Sequence, residues 1–419
     1  MLGKYKNTLI AIIGSGVEYY DFIVYALMSP YLAQIFFHNI DYKNSIVYYF
    51  SVFALGYLFR PVGGVFLGYI SDRYGRKNAF LIETFLMCVS TFVIGFLPVN
   101  YMSENLLVVV IVVCRILQGI SMGGELSNAI TVVYESNKSK YLHGSFIFTS
   151  VGLGNILAIF VVHTLSKNIT YEKMLDFWWR IPFIFGGILM LLCFVFRSSL
   201  NETKRSQNTE IGFIDIFKKI GKQKYEVCLG VLLSVAIASL IVVNLFFPTY
   251  FSVFYSYDVS QIFDSMMYAM GFSVISSPIF GLVLNRKNDK STVAIYGIII
   301  FLVVWYSFML IISNNAIVKV FVFMSIYQVF IGFFFVLALP FMASLFSADI
   351  RNTAVALCYN LGYIIASIIP SIVTYFKDSC GKFFVFYIVG GLFCALMVFI
   401  ILTFKINKKL YYDRSKNYS

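Results

Sequence analysis

Charge is what this chain has least of. Only 12% of its 419 residues are Asp, Glu, Lys or Arg, about half the roughly 25% of a typical soluble domain, which excludes a soluble globular protein. With 60% hydrophobic residues and a mean hydropathy of +0.83, a disordered chain is excluded as well. Histidine is scarce, and His38, His143 and His163 have no ligand spacing around them. The seven cysteines contain no CxxC pair. Cys88, Cys114, Cys193, Cys228, Cys358 and Cys394 fall inside apolar stretches and Cys380 stands in a loop, so neither a disulfide framework nor a metal site is expected. No nucleophile–base pair, phosphate loop or nucleotide motif is visible. The expectation is no enzyme, no ATP-driven pump and no cofactor. A cleavable signal peptide is not expected either, because the first apolar stretch is too long for an h-region and many more follow.

What is present is apolar length. Hydrophobic stretches run over approximately 8–31, 45–70, 79–97, 105–134, 144–165, 177–196, 226–251, 261–284, 292–313, 317–345, 353–376 and 383–404. A span needs about 20 apolar residues, so the pattern predicts an all-α membrane protein with twelve transmembrane helices. Alternating ten-residue segments, the mark of a membrane barrel, are absent. The formal charge of +12 follows the loops, which argues for topology and not for nucleic acid. With both termini inside, the inner segments hold 23 Lys and Arg against 6 in the outer ones, Arg197 being counted in the inner loop after span six. That asymmetry predicts cytoplasmic termini in a bacterial inner membrane. The longest polar segment divides the chain into a six-helix bundle at 1–196, a cytoplasmic linker at 197–225, a second six-helix bundle at 226–404 and a short tail at 405–419. Two such halves are the architecture of a transporter with its site between them. The tail carries no heptad pattern, so no coiled coil is expected there.

Ionisable groups within spans are costly and call for a partner or a function. Span one carries Glu18 and Asp21, three apart and on one helix face. Span four carries Arg115, Gln118, Met122 and Glu125, which fall within about 80° of one another on a helix. At a rise of about 1.5 Å per residue, Asp21 and Arg115 lie at similar depths, near 13 and 15 Å from the outer ends of their spans. An ion pair between them is geometrically available. Protonating the carboxylate releases the arginine and changes the local charge by one unit; the alternative is a purely structural pair. Arg60, followed by Pro61, Gly63 and Gly64, either faces the pathway or pairs with a span-one carboxylate. Arg180, beside Trp178 and Trp179, reads as an interfacial anchor. Glu83 and Glu135 read as residues near cytoplasmic helix ends, where snorkelling or loop pairing is the default. Spans seven to twelve hold little charge; their polar candidates are Asn244, Gln328 and Asn360, with Tyr250, Tyr327 and Tyr359 nearby.

Between spans two and three stands Gly68-Tyr-Ile-Ser-Asp72-Arg73-Tyr74-Gly75-Arg76-Lys77. Gly68 permits close helix approach and Gly75 a tight reversal with positive φ. Asp72 suits the positive end of a neighbouring helix, and Arg76 and Lys77 hold the loop inside. The spacing resembles the signature of the major facilitator superfamily. Gly14-Ser-Gly-Val-Glu18-Tyr-Tyr-Asp21, Arg60-Pro-Val-Gly-Gly64, Arg115-Ile-Leu-Gln-Gly119, Gly123-Gly-Glu125, Trp178-Trp-Arg180-Ile-Pro182 and Arg351-Asn-Thr353 with Tyr359-Asn360 resemble, in order, its metabolite:proton symporter branch, which includes proline/betaine, α-ketoglutarate and citrate carriers.

The resemblance implies a proton-driven, alternating-access symporter of a small polar metabolite. Glu18, Asp21 and Arg115 would be the coupling groups. Arg60, Gln118, Glu125, Asn244, Gln328, Tyr359 and Asn360 would be the substrate candidates. Gly68, Asp72, Arg73, Gly75, Arg76 and Lys77 would form the gating motif, with Asp72 latching the start of span eleven near Thr353. Its partners would be substrate, proton and lipid, with no nucleic acid; oligomeric state is not read from sequence. A proline/betaine-type zwitterion fits aromatic cation–π faces and Arg115. A di- or tricarboxylate would instead use Arg60 with Arg115, and a transporter-like sensor without net transport is the reading from another class. Ser15 and Tyr19 stand where the branch usually has Asn and Trp. The repeat of the loop motif is degraded, Gly281 being followed by Asn285-Arg286-Lys287. Without a coiled coil, osmotic activation is not expected.

Overall fold

A chain this poor in charge and proline has to satisfy its backbone polar groups internally, and helices do this residue by residue. A computed structural model describes residues 2–37, 39, 41–136, 138–200, 212–255, 257, 259–287, 290–311, 317–367, 369 and 390–391. Among them there is no strand. The helices are α1 (Leu2–Leu27), α2 (Ser29–Phe36), α3 (Tyr42–Tyr74), α4 (Arg76–Gly95), α5 (Glu104–Ser136), α6 (Lys140–Asn168), the single turn α7 (Tyr171–Lys173), α8 (Arg180–Ser198), α9 (Phe213–Lys222), α10 (Lys224–Tyr255), α11 (Val259–Arg286), α12 (Lys290–Ile311), α13 (Ile317–Ser344) and α14 (Arg351–Ala366).

Nine of the described helices are long and apolar enough to cross a membrane, and Thr292–Tyr306 forms a shorter apolar helix. Their outward faces confirm the solvent. Leu58, Val62 and Phe66 on α3, Phe85, Val89 and Val93 on α4, and Ile275, Ile279 and Val283 on α11 are exposed at one-turn spacing. Apolar stripes turned outward belong against lipid. The eleventh expected span is described only as far as α14 and its neighbouring residues. The twelfth, apart from residues 390–391, lies outside the described residues, as do the tail at 405–419, Cys380 and Cys394. The first expected span, 8–31, is not one helix: it stops at Leu27 and restarts at Ser29 with Pro30 at the head of α2. Proline has no N–H to extend the preceding helix but suits a first turn. Cys228 is exposed rather than a core residue, whereas Cys88, Cys114, Cys193 and Cys358 are buried.

The chain divides into two compact units. One comprises residues 1–138, 149–222 and 346–360; the other comprises 139–148, 223–345 and 361–419. In the first, α3 and α5 approach so closely that a Cβ at Gly119 would run into the Gly56 carbonyl, and one at Gly123 into the Arg60 carbonyl. Small residues at such seams let helix backbones meet, which gives Gly119 and Gly123 a purely spatial reason. In the second unit α11, α12 and α13 pack together around Phe301, Trp305, Phe323 and Tyr327, whose rings lie 5.4–6.3 Å apart where Trp305 and Phe301 meet Tyr327 and 5.7 Å between Trp305 and Phe323.

Candidate functional site

The first unit turns its polar residues inward at two levels. At the first, Asp21 of α1 is fully buried. Its Oδ2 accepts hydrogen bonds from Thr91 Oγ1 of α4 and from Gln118 Nε2 of α5 at 3.1 Å. Its Oδ1 has no partner and lies beside Gly186, where an added Cβ would stand 2.9 Å away. Arg115 Nη1 donates to Gln118 Oε1 at 2.7 Å, and its guanidinium carbon lies 4.1 Å from the centre of the Tyr25 ring and 4.8 Å from that of Phe22. The direct Asp21–Arg115 ion pair that the matched depths made available is therefore not what forms. Gln118, one turn beyond Arg115, offers an acceptor to the guanidinium and a donor to the carboxylate, and so stands between them. Arg115 Nε and Nη2 are left without partners.

The second level was not legible in full. Arg197, counted in the sequence as part of the cytoplasmic linker, ends α8 and is fully buried. Its Nη1 donates to Glu18 Oε1 at 3.2 Å and to Thr84 Oγ1 at 2.5 Å, and its Nη2 pairs with Glu125 Oε1. Ser15 Oγ also donates to Glu125, at 3.0 Å. The stripe on α5 therefore splits: Arg115 and Gln118 belong with Asp21, Glu125 with Glu18. Two buried carboxylates with no cation in reach were the signal that an arginine was missing. Glu83, read as a helix-end residue, is likewise fully buried in α4, with Asn128 Nδ2 3.5 Å from its Oε2.

Arg60 of α3 does not pair with a span-one carboxylate, one of its two expected alternatives: Glu18 meets Arg197, and Asp21 meets Thr91 and Gln118. Arg60 pairs with no carboxylate among the described residues; its guanidinium carbon sits 4.2 Å from the Tyr57 ring centre and 4.4 Å from that of Phe22. The Tyr19 and Tyr359 hydroxyls lie 3.5 Å apart. Asn360 donates to the Gly123 carbonyl at 3.0 Å and to that of Ala356 at 2.8 Å, so its amide ties α14 to α5. In the second unit Gln328 Nε2 donates to Asn244 Oδ1 at 3.2 Å, and the Tyr327 hydroxyl to the Leu240 carbonyl at 2.9 Å.

The loop motif builds a third constellation. Gly75 adopts φ 101° between α3 and α4, a conformation glycine takes without strain. Asp72 accepts from Thr353 N at 2.8 Å, Thr353 Oγ1 at 2.7 Å and Asn352 N at 3.2 Å, capping the first turn of α14. Gly68 lies against Thr353, whose Cα would stand 2.8 Å from an added Cβ. Arg76 Nη1 meets Asp72 at 2.5 Å, and its Nη2 meets Glu135 at 3.1 Å, with Arg351 on the same Glu135 at 2.8 Å. Arg73 donates to the Tyr69 hydroxyl, and Lys77 is half-buried. The degraded repeat leaves Asn285, Arg286 and Lys287 exposed.

Comparison with known proteins points one way. The family model described as "Major Facilitator Superfamily" matches residues 11–370. The proline/betaine transporter of Escherichia coli (strain K12) is 27% identical over 399 residues, covering 90% of this chain and 79% of that protein. The glycine betaine/proline/ectoine/pipecolic acid transporter OusA of Dickeya dadantii (strain 3937) is 27% identical over 394 residues, covering 89% and 78%. Among solved structures, the proton:xylose symporter XylE bound to 6-bromo-6-deoxy-D-glucose superposes with a TM-score of 0.78 at 16% identity, over 95% of each chain. Apolar outward stripes, the Asp72–Thr353 cap and a family match across most of its length agree: the chain is a multi-pass membrane protein belonging to the major facilitator superfamily of transporters.

Proposed function

We propose that this protein is a proton-coupled symporter of a small zwitterion of the proline/betaine class, in a bacterial inner membrane with both termini cytoplasmic. The relatives named above support the substrate class, and the excess of Lys and Arg in alternate loops supports the orientation. The first half would run to the end of α8 at Ser198 and the second would start with α10 at Lys224, joined by 199–223. The observation that carries the reading is Arg60: a buried guanidinium among aromatic rings with no carboxylate partner among the described residues. A cation in that setting is complementary to a ligand carboxylate, and the rings to its ammonium.

Coupling would run through Gln118. An ionised Asp21 holds the Gln118 amide, and the amide holds Arg115. A proton arriving at the unpartnered Oδ1 neutralises the carboxylate, weakens its grip on the amide and frees the guanidinium for substrate or for a new partner. No direct acid–arginine contact is needed.

A second reading has its own support. Arg115 and Arg60 lie 4.8 and 4.4 Å from the same Phe22 ring, and neither has a carboxylate partner among the described residues. Two such guanidiniums suit a dicarboxylate. Uptake of labelled proline and glycine betaine into proteoliposomes under an inside-alkaline gradient separates the cases. The symporter accumulates zwitterion, loses accumulation to a protonophore and ignores excess α-ketoglutarate or citrate. Inhibition by those acids alone moves the assignment to the dicarboxylate class, and binding without counterflow makes the chain a sensor.

A further inference from the structure

Three buried carboxyl groups of the first unit cluster with a single guanidinium that pairs with only two of them, and their charges do not balance. Glu18 from α1 and Glu125 from α5 both pair with Arg197 of α8. Glu83 from α4 makes no ion pair among the described residues: its Oε2 has only the Asn128 amide at 3.5 Å, and its Oε1 has no partner. That free oxygen is directed at Gly124, where an added Cβ would stand 2.4 Å away, and the next residue, Glu125, also has a buried oxygen, Oε2, without a partner. All four side chains are shut off from solvent. The remaining groups facing the cluster are neutral: Ser15, Thr84, Asn128 and Cys193. Asp21 stands one turn along α1 with its own partners.

An isolated carboxylate in such surroundings takes up a proton sooner than remain charged. Two carboxylates facing each other repel; a carboxyl facing a carboxylate donates a hydrogen bond. We propose that Glu83 and Glu125 share a proton, so that this cluster is a second proton-binding site of the first unit, separate from Asp21. Glu83 carries the proton and donates it to Glu125, which also faces Arg197, Ser15 and the Glu18 carboxyl. Losing it would leave three carboxylates around one arginine, so release is tied to rearrangement of Arg197 at the end of α8. A bound metal cation is the lesser reading, since no group of His, Cys, Asp or Glu among the described residues has metal-holding geometry. Presence of the proton stands by itself; its participation in transport rests on the symport reading above.

Infrared spectroscopy of the purified, lipid-embedded protein, following the C=O stretch of protonated carboxylic acids against pH, tests it without substrate. At neutral pH the parent should show a protonated carboxyl that persists in Asp21→Asn and disappears in Glu83→Gln. Glutamine mimics the protonated acid, so Glu83→Gln should melt no lower than the parent at neutral pH, with a flatter dependence of melting on pH above neutrality. A band abolished by Asp21→Asn and untouched by Glu83→Gln overturns the proposal. So does a melting temperature lowered by Glu83→Gln and restored by Glu83→Asp, which would mark an ionised structural partner. Displacement of the band by sodium at fixed pH makes the cluster a cation site instead. If proline and betaine fail to move while the band is present, the site survives and the symport reading falls; proton-driven uptake without the band removes the site alone.

Discussion

Gln118 changes what the acid and the arginine in the first unit mean. With Asp21 held by Thr91 and Gln118, Asp21→Asn keeps the shape and removes the titratable group. Counterflow of labelled substrate should persist while accumulation driven by a pH gradient is lost; unchanged accumulation would take Asp21 out of coupling. Gln118→Leu keeps the volume and deletes the bridge, leaving Arg115 Nη1 without its acceptor and Asp21 without one of two donors. An unsatisfied buried group costs about 1–3 kcal/mol, so thermal unfolding should drop accordingly. A negligible change would mean that acid and arginine find each other directly once the amide is gone. The sequence showed Arg115 and Gln118 on one face because helical spacing is fixed, and it matched their depth with Asp21. It did not show which side chain intervenes, since that depends on how far each reaches across the gap between α1 and α5.

Helix α3 carries two kinds of contact that sequence patterns display unequally. Its seam with α5 follows from glycines at 56, 63, 64, 119, 123 and 124, and the Gly119 position has no room for a side chain against the Gly56 carbonyl. Gly119→Val should force the helices apart at a cost of about 1–3 kcal/mol, read as a lower melting temperature; an unchanged melting temperature would mean the seam tolerates separation. At its other end, Asp72 caps α14 through three hydrogen bonds, each of the charged kind worth about 1.5–3 kcal/mol. Asp72→Asn should loosen that cap. Ala356 is fully buried one turn into α14, so a thiol introduced by Ala356→Cys should react with a soluble maleimide faster in the Asp72→Asn background than in the parent. Equal rates would deny the cap a latching role. Apolar length made nearly every helix legible, whereas the break at Met28 hung on a single proline. Arg197 escaped because an arginine after an apolar run reads as loop when hydropathy alone draws the boundary.

Over the whole chain, hydropathy and the loop signature reached the family and the membrane, because lipid imposes the same demand on every span. Contacts between segments far apart in sequence left no such trace. The amphipathic helix α9 is one: it buries Ile216 and Ile220, sets Phe213 edge-on to Tyr69 at 5.1 Å, and pairs Lys219 with Asp349, 130 residues away and just ahead of α14. Partial burial pushes the Asp349 carboxyl up, but the Lys219 ammonium and the Ser347 hydroxyl outweigh it and hold the group below its ordinary 3.8. A carboxylate depressed in the folded state stabilises above its unfolded value and loses that contribution as pH falls through the folded one. Asp349→Asn should therefore lower stability at neutral pH, by no more than about 1 kcal/mol for a pair this exposed to solvent. The gap between parent and variant should close as pH drops below 3.8, and narrow in concentrated salt at neutral pH because exposed charges are screened. Melting curves of both proteins across pH and salt decide it. A gap that widens in acid would place the stabilising proton on another carboxyl, and one indifferent to salt would make the α9 contact a matter of Ile216 and Ile220 packing instead of charge.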